Sequence, residues 1–289
     1  MHKEIGHNAQ NNVQAERQPP TRVISISSGK GGVGKTNTVA NLAVALARLG
    51  KRSLLMDADL GLGNLDLLFG VQPEYNITHL LSGAKTIDEV LVKGPDNILI
   101  LPAASGVQEL TNLTADERLS LIAHLESLSV KFDIMLIDTG AGISDNVLFF
   151  SGASHDIMVV VTPHGASITD ACALMKALLK KRGERSFKLL VNGVKSRKEG
   201  LEAYRNVVAL ASTMRLDISV DYLACVPFDE NVRRSAARRM TVMEAFPESK
   251  ASMGYEELAR VVLDLPYPAT MKGGMQFFWR RTFDAANRA

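Results

Sequence analysis

A glycine-rich loop at residues 29–36 constrains this chain more than any other feature of its sequence. It reads Gly-Lys-Gly-Gly-Val-Gly-Lys-Thr and fits the pattern G-x-x-x-x-G-K-[ST], which binds the phosphates of a nucleoside triphosphate. Such a loop needs a strand before it and a helix after it, so that the anion meets the helix N-terminus. Residues 22–27 form a β-branched run suited to a buried strand, and residues 37–49 have the apolar spacing of a helix. The sequence therefore predicts a phosphate site on a strand-loop-helix unit.

The residues of this loop have different expected tasks. The glycines let the backbone turn and aim its N–H groups at phosphate oxygens, Lys35 reaches the β- and γ-phosphates, and Thr36 offers its hydroxyl to Mg²⁺. Lys30 is left without a task in its own loop, because Lys35 already serves those phosphates and the loop geometry points Lys30 outward. It is therefore a candidate to serve a nucleotide held by another copy of the chain. The predicted nucleotide contacts of the segment are Gly29, Lys30, Gly31, Gly32, Val33, Gly34, Lys35, Thr36 and Asn37.

Composition is compatible with an enzyme-sized folded unit. The 289 residues fit one large α/β domain or two small ones, and 46% apolar residues are ample for a core. The two cysteines, Cys172 and Cys225, lie far apart in apolar segments, so neither a disulfide framework nor a cysteine-ligated cluster is indicated. The sequence has no apolar run of about eighteen residues and no apolar N-terminal signal region, and we therefore expect a cytoplasmic protein.

Strands and helices alternate along most of the chain. Residues 1–20 are polar and Asn/Gln-rich and predict a flexible arm. Further strands are predicted at 53–57, 97–101, 133–138, 157–162, 188–192 and 220–226, and helices at about 41–49, 114–130, 145–153, 167–182, 198–214, 229–240 and 250–264. Because the strand segments are nearly continuous apolar runs, they favour a parallel sheet covered on both faces. We expect one doubly wound α/β domain over residues 21–265, with ligands at the carboxyl ends of the strands.

Carboxylates follow two of these strands. Asp57 and Asp59 end one of them, and Asp138 ends another, with Gly142 shortly after it. Phosphoryl transfer needs a carboxylate in the Mg²⁺ shell, a group that orients water, and a backbone N–H near the γ-phosphate. Asp138, Asp59 and Gly142 are candidates for these roles in that order. The alternative is that the aspartates cap the following turns, and for Asp57 capping, an outer-shell magnesium role and direct catalysis all stay open.

Three segments together resemble the MinD/ParA ATPases. Residues 30–36, 57–66 and 138–143 look like the deviant Walker A, switch I and switch II segments of that family, and shorter matches, such as Val191-Asn192 and residues 226–232, extend the resemblance over about residues 22–265. The resemblance implies a P-loop ATPase that uses ATP and Mg²⁺ and forms a sandwich homodimer when ATP is bound.

The resemblance also implies roles for single residues. Lys30 would cross to the phosphates of the partner copy, and Asp59 would position the attacking water. Asn192 matches the asparagine that reads the adenine edge, and Pro227 lies in the other base-side wall. The predicted catalytic residues are Lys30, Lys35 and Asp59, and the predicted metal-site residues are Thr36, Asp59 and Asp138.

Within that family, one group is most similar. Residues 59–70, 101–106, 167–171 and 244–252 look like the flagellar-number regulators called FlhG or FleN, whereas division-site MinD proteins usually carry Arg where Gly63 stands. The resemblance implies control of flagellar number or placement through proteins such as the GTPase FlhF, a flagellar transcription regulator or components of the flagellar switch (C-ring). The alternatives are a ParA-type DNA-partitioning ATPase and a MinD-type division-site regulator.

The C-terminal segment predicts a membrane-targeting helix. Residues 266–274 form a Pro/Gly linker, and residues 275–289 project as an amphipathic helix with Phe278, Trp279 and Phe283 on its apolar face. Aromatic residues opposite arginines suit the headgroup region of an anionic membrane. The alternative is a helix docked on the domain core. We expect reversible association with the inner face of the cytoplasmic membrane.

DNA is the other surface that such an ATPase can bind. Basic clusters at 180–182 and 233–239 are able to contact DNA phosphates, but a solvated helix face is the simpler interpretation. The net charge of +2 is also too small to argue for nucleic acid by itself. We therefore expect DNA not to be a partner.

Overall fold

The described part of the chain folds around a mixed β-sheet. A computed structural model describes residues 21–60, 63–104 and 113–267. Within these residues the sheet has spatial order β3-β4-β2-β5-β1-β6-β7-β8; β3 runs antiparallel to β4, and the other pairs are parallel. The strands are β1 (Arg22–Ser28), β2 (Ser53–Ala58), β3 (Val92–Lys93), β4 (Leu99–Leu101), β5 (Ile134–Ala141), β6 (Asp156–Val161), β7 (Ser186–Val194) and β8 (Ser219–Pro227).

Helices cover both faces of this sheet. One face packs against α1, α10 and α11, and the other packs against α5, α6, α7 and α8. The helices are α1 (Lys35–Arg48), α2 (Leu65–Leu68), α3 (Ile77–Leu81), α4 (Ile87–Val90), α5 (Ala115–Glu126), α6 (Asp145–Gly152), α7 (Gly165–Arg182), α8 (Arg197–Thr213), α9 (Glu230–Ala236), α10 (Val242–Ala245) and α11 (Lys250–Asp264). The central strand β1 is buried at every position, as its continuous apolar and small-residue pattern requires.

The predicted doubly wound α/β fold is confirmed, and most element boundaries lie within a few residues of the prediction. Some boundaries were wrong: the helix predicted at about 41–49 begins at Lys35, and the helix predicted at 114–130 ends at Glu126. Two others differ for a reason visible in the backbone. The predicted strand 97–101 begins only at Leu99, because Pro95–Asn97 forms a 3₁₀ turn with Asn97 in the left-handed region at φ 58°. The predicted helix 229–240 ends at Ala236, and Arg239 shortly after it is left-handed at φ 55°.

Several predicted segments lie outside the described residues. They are the N-terminal arm 1–20, most of the linker 266–274 and the amphipathic helix 275–289 with Phe278, Trp279 and Phe283. In the part of the chain that the structure does describe, none of the helices has the length and apolar character needed to cross a membrane.

A buried arginine joins the two ends of the described domain. The Arg22 side chain at the start of β1 is 8% exposed and forms an ion pair with Asp156, Nε to Oδ2, at 2.8 Å. Its two terminal nitrogens donate to the carbonyls of Leu265 and Pro266 at 2.7 and 2.9 Å. The Tyr267 hydroxyl donates to the Thr21 carbonyl at 2.7 Å. The chain after α11 therefore leaves at the amino end of β1, whereas the glycine-rich loop follows its carboxyl end.

Candidate active site

The glycine-rich loop joins β1 to α1 in a conformation that glycine makes accessible. Gly32 and Gly34 are left-handed at φ 75° and 95°, where other residues are strained. A Cβ atom at Gly34 would also collide with the Asn192 side-chain amide. That amide lies close because Asn192 Nδ2 donates to the Val33 carbonyl at 2.8 Å. The predicted base-reading residue thus also holds the phosphate loop in place.

Neighbouring elements clamp the start of the loop. Ser28 Oγ donates to the Lys30 carbonyl at 2.7 Å, and the Ser28 carbonyl accepts from the Gly142 N–H at 2.9 Å. A Cβ atom at Gly29 would overlap the backbone carbonyl of Asp170 in α7. These contacts fix the loop between β5 and α7. They also engage the Gly142 N–H, whose contact with the γ-phosphate stays a prediction.

The two lysines of the loop occupy opposite environments. Lys35 is only 8% exposed at the start of α1, whereas Lys30 is exposed. Burial lowers the pKa of the Lys35 ammonium, while the carboxylates of Asp138 and Asp59 act in the opposite direction. Lys35 therefore faces the predicted carboxylates, and Lys30 lies apart from them on the surface.

Asp138 has the character of a cation ligand. It is 2% exposed, its carboxylate accepts a hydrogen bond from Thr36, and among the described residues its Oδ1 has no hydrogen-bond partner. Burial raises the pKa of Asp138 to about 7; Thr36 and Lys35 oppose this rise, and Asp59 adds to it. An unsatisfied buried carboxylate oxygen beside a threonine hydroxyl fits Mg²⁺, which prefers oxygen ligands and binds through one or two protein groups plus phosphates.

The metal site itself stays a prediction, with Asp59 as its third residue beside Thr36 and Asp138. No group of three or more His, Cys, Asp or Glu side chains forms a metal cluster in the described ranges. Thr36, Asp138 and Asp59 would share the ion with phosphate oxygens and water, as is usual for a nucleotide-bound magnesium.

Asp57 and Asp59 differ in their surroundings. Asp57, 2% exposed, lies opposite Asp138 in the β2–β5 register, and its carboxylate accepts backbone hydrogen bonds from Asp59, Asn64 and Leu65. Burial raises the pKa of Asp57 well above its ordinary value, and Asp138 adds to the rise.

Asp59 is half-buried and approaches the end of β5. Its Oδ1 lies 3.6 Å from the position that a Cβ atom on Gly140 would take. Asp57 thus makes the contacts of a turn cap, and Asp59 lies next to the Lys35–Asp138 pair.

An open pocket of about 370 Å³ adjoins the loop, a volume within the usual range for small-molecule sites. The predicted base contacts Asn192 and Pro227 line it together with Asn37. The Phe228 side chain is 65% exposed at its edge. The following wall residues were not among the predicted nucleotide contacts: Gly193, Phe228, Asp229, Glu230, Val232, Arg233, Ala236 and Tyr255. An aromatic residue directly after Pro227 was the available signal for Phe228.

Comparisons with known proteins agree with this geometry. A family model described as an AAA domain matches residues 21–184. The chain is 39% identical over 262 residues to the antiactivator FleN of Pseudomonas aeruginosa, covering 91% of this chain and 93% of that protein. It is 31% identical over 264 residues to the flagellum site-determining protein YlxH of Helicobacter pylori, covering 90% and 89%.

A solved structure is also similar along most of the chain. It is the septum site-determining protein MinD from Pyrococcus horikoshii, complexed with Mg-ADP. The match has a TM-score of 0.67 and 27% identity and covers 84% of this chain and 96% of that one.

Proposed function

The chain belongs to the MinD/ParA family of P-loop ATPases, and we propose that it regulates flagellar number or placement through an ATP-bound homodimer that associates with the membrane. As a member of that family it is an ATPase that uses ATP and Mg²⁺. The dimer, the membrane and the flagellar target are the parts that are proposed here.

The residues around the loop have different roles in the proposed ATP hydrolysis. ATP supplies the phosphoryl group, and Mg²⁺ supplies positive charge that offsets its oxygens. Lys35, buried beside the carboxylates, would bind phosphate oxygens, while Thr36 and Asp138, with Asp59 as the third predicted metal-site residue, would hold the cation. Asp59, half-buried next to Gly140, accepts a hydrogen bond from the attacking water and orients it. Burial of the site strengthens each of these electrostatic interactions.

The exposure of Lys30 is the observation that supports the proposed ATP-bound homodimer. A second lysine in a phosphate loop gains little from facing solvent, and Lys35 already occupies the buried position beside Asp138. The position of Lys30 is suited to a phosphate group approaching from outside, as in a second copy of the chain. We infer that Lys30 contributes across the interface when two ATP-bound copies face each other.

The flagellar role rests on the relatives. FleN is named an antiactivator and YlxH a flagellum site-determining protein, and both match about nine-tenths of this chain. By the first name, we infer that one partner is a transcription activator; by resemblance, the GTPase FlhF and components of the flagellar switch are further candidates. MinD-type division control is the alternative that the solved structure raises.

Membrane association rests on residues 275–289, whose sequence combines aromatic and arginine residues on opposite faces. The Arg22 contacts place Leu265 and Pro266 at the amino end of β1, opposite the end from which the glycine-rich loop follows.

Sedimentation with membranes and DNA tests the proposal directly. We expect the protein to sediment with anionic liposomes in ATP and not in ADP, and not to sediment with DNA. Asp59→Ala should bind ATP, hydrolyse it poorly and elute as a dimer in ATP. Lys30→Ala should remain a monomer under the same conditions. Binding to DNA but not to lipid would instead support a ParA-type function.

A genetic experiment separates the two remaining alternatives. Deleting the gene should change the number or position of flagella and leave cell division unaffected. Minicells with normal flagellation would replace the proposed function with a MinD-type role.

A further inference from the structure

A buried carboxylate that the chemistry above does not use ties together the loop that follows β2. Asp57 Oδ1 accepts a hydrogen bond from the Asp59 N–H at 3.2 Å. Its Oδ2 accepts from the Asn64 and Leu65 N–H groups at 2.9 and 3.1 Å. We call these three contacts the Asp57 latch. They bind both ends of the loop between β2 and α2 to a single side chain that is 2% exposed.

We propose that Asp57 is a positioning residue for hydrolysis: the Asp57 latch holds the backbone of Asp59 where its carboxylate can orient water. The proposal rests on the role proposed above for Asp59. Both Asp57 oxygens accept hydrogen bonds from backbone N–H groups of the loop, so Asp57 is placed to act through the loop.

The placement of the latch explains why it bears on chemistry. Asp57 is paired with Asp138 across the β2–β5 register, and Asp59 follows two residues later with its carboxylate close to Gly140. A shift of the Asp59 backbone therefore changes the distance from its carboxylate to the Thr36–Asp138 site directly. Misplacement of a catalytic group by about 1 Å lowers a rate by about 100-fold.

Gly63 shows how closely the latch is packed. A Cβ atom at this position would lie 2.5 Å from the Ala103 Cβ and 2.7 Å from Asp57 Oδ2. A methyl group here would therefore push directly on the carboxylate that holds the loop.

Replacing Asp57 by asparagine removes one of the two acceptor oxygens while keeping the shape of the side chain. The new NH₂ group then faces a backbone N–H donor, which breaks part of the latch. We expect Asp57→Asn to lower kcat for ATP hydrolysis by about 10- to 100-fold while the affinity for ADP is unchanged. The matched control is Asp66→Asn, the same substitution in α2 at a residue outside the latch, and it should retain the parent kcat.

A purely structural role predicts a different result. The melting temperature would fall, but kcat per folded molecule would stay at the parent value. Gly63→Ala provides a second variant if Asp57→Asn fails to fold. It should also lower kcat, and Ala103→Gly in the same chain should restore part of the loss by removing one of the two collisions.

The Asp57→Asn and Gly63→Ala effects should not add, because both act on one latch. A double variant with the same kcat as the less active single variant supports the proposal. A loss of kcat equal to the product of the two single losses opposes it. An unchanged kcat in Asp57→Asn, or a loss of ADP affinity as large as the loss of kcat, overturns it. Asp59→Asn is measured in parallel. If Asp59→Asn keeps its kcat, the proposed role of Asp59 fails; if only Asp57→Asn keeps it, the latch proposal alone fails.

Discussion

Asp138→Asn should make the nucleotide-free protein more stable while removing its response to Mg²⁺. In the folded protein, burial raises the pKa of Asp138 to about 7 from an ordinary value near 3.8. The ionised carboxylate is therefore disfavoured by folding, and asparagine keeps its shape and polarity without the charge. The same buried charge that suits a cation destabilises the protein when the cation is absent.

The size of the effect follows from linkage. The folded-state pKa is raised, so the cost of ionising Asp138 is absent below the unfolded pKa and grows to its full value above the folded one. A difference of about three pKa units is worth about 4 kcal/mol at about pH 8. At about pH 5, where folded Asp138 is protonated and unfolded Asp138 is mostly ionised, the cost falls to about 2 kcal/mol.

Thermal unfolding in EDTA measures both values. For a domain of this size, 1 kcal/mol corresponds to about 2–4 °C in Tm, so Asp138→Asn should gain roughly 8–16 °C at about pH 8 and about half as much at about pH 5. Asp116→Asn, at an exposed position in α5, is the control and should show neither the gain nor its pH dependence. In a second series without EDTA, ATP should raise Tm of both proteins, and adding Mg²⁺ should increase this rise in the parent protein but not in Asp138→Asn. Equal gains at the two pH values, or a loss of stability at about pH 8, would refute the assignment of a strained buried charge.

Three further substitutions examine other parts of the domain. Gly34→Ala forces a side chain into a left-handed position against Asn192, costs about 1–2 kcal/mol for the backbone alone and should weaken ADP binding in calorimetry. Arg22→Met leaves the Asp156 carboxylate buried without its cation and should lower the free energy of unfolding by about 3–5 kcal/mol in urea titrations, with ADP affinity retained. Phe228→Ala removes the exposed ring at the edge of the pocket; if that ring stacks on the base, the affinity for a fluorescent ADP should fall by about 1–3 kcal/mol, and an unchanged affinity would exclude stacking.

Periodicity predicted the long elements of the fold well and failed for the short ones. The apolar run of β1 and the apolar spacing of α1 predicted these two elements correctly, because buried parallel strands and amphipathic helices have strong sequence patterns. The helices α2, α3, α4 and α10 have only four or five residues, too few for one period to be recognised. After α9 the backbone becomes left-handed at Arg239. No glycine stands there to indicate this change in the sequence.

The candidate site was likewise predictable from the sequence only in part. Motif chemistry predicted a phosphate loop with Lys35 and a carboxylate at Asp138, and the structure brings these two together with Asp59. The task of Asp57 stayed open in the sequence, since a strand-ending aspartate can cap a turn or bind a cation. Only the three backbone N–H groups around its oxygens distinguish these roles. Likewise, the N–H of Gly142 is used by Ser28, which depends on a register shift between β1 and β5 that no local pattern reveals.

The architecture also limits how ATP can act on the segment after residue 267. The strand β1 and the helix α11 connect the site to residues 265–267, where the described chain ends. β1 runs about 20 Å from Arg22 to the loop, and α11 runs about 15 Å from Tyr255 at the pocket towards Leu265. The first is buried at every position, and the second packs on the core along its length, so moving residues 265–267 through this path would require a shift of packed core elements. Under the proposed function, ATP would therefore change the number of C-terminal segments that one particle carries, from one to two. Two weakly binding segments on one particle raise membrane affinity through effective concentration. ATP-dependent membrane binding would then require a dimer, and Lys30→Ala should lose it even though residues 275–289 are intact.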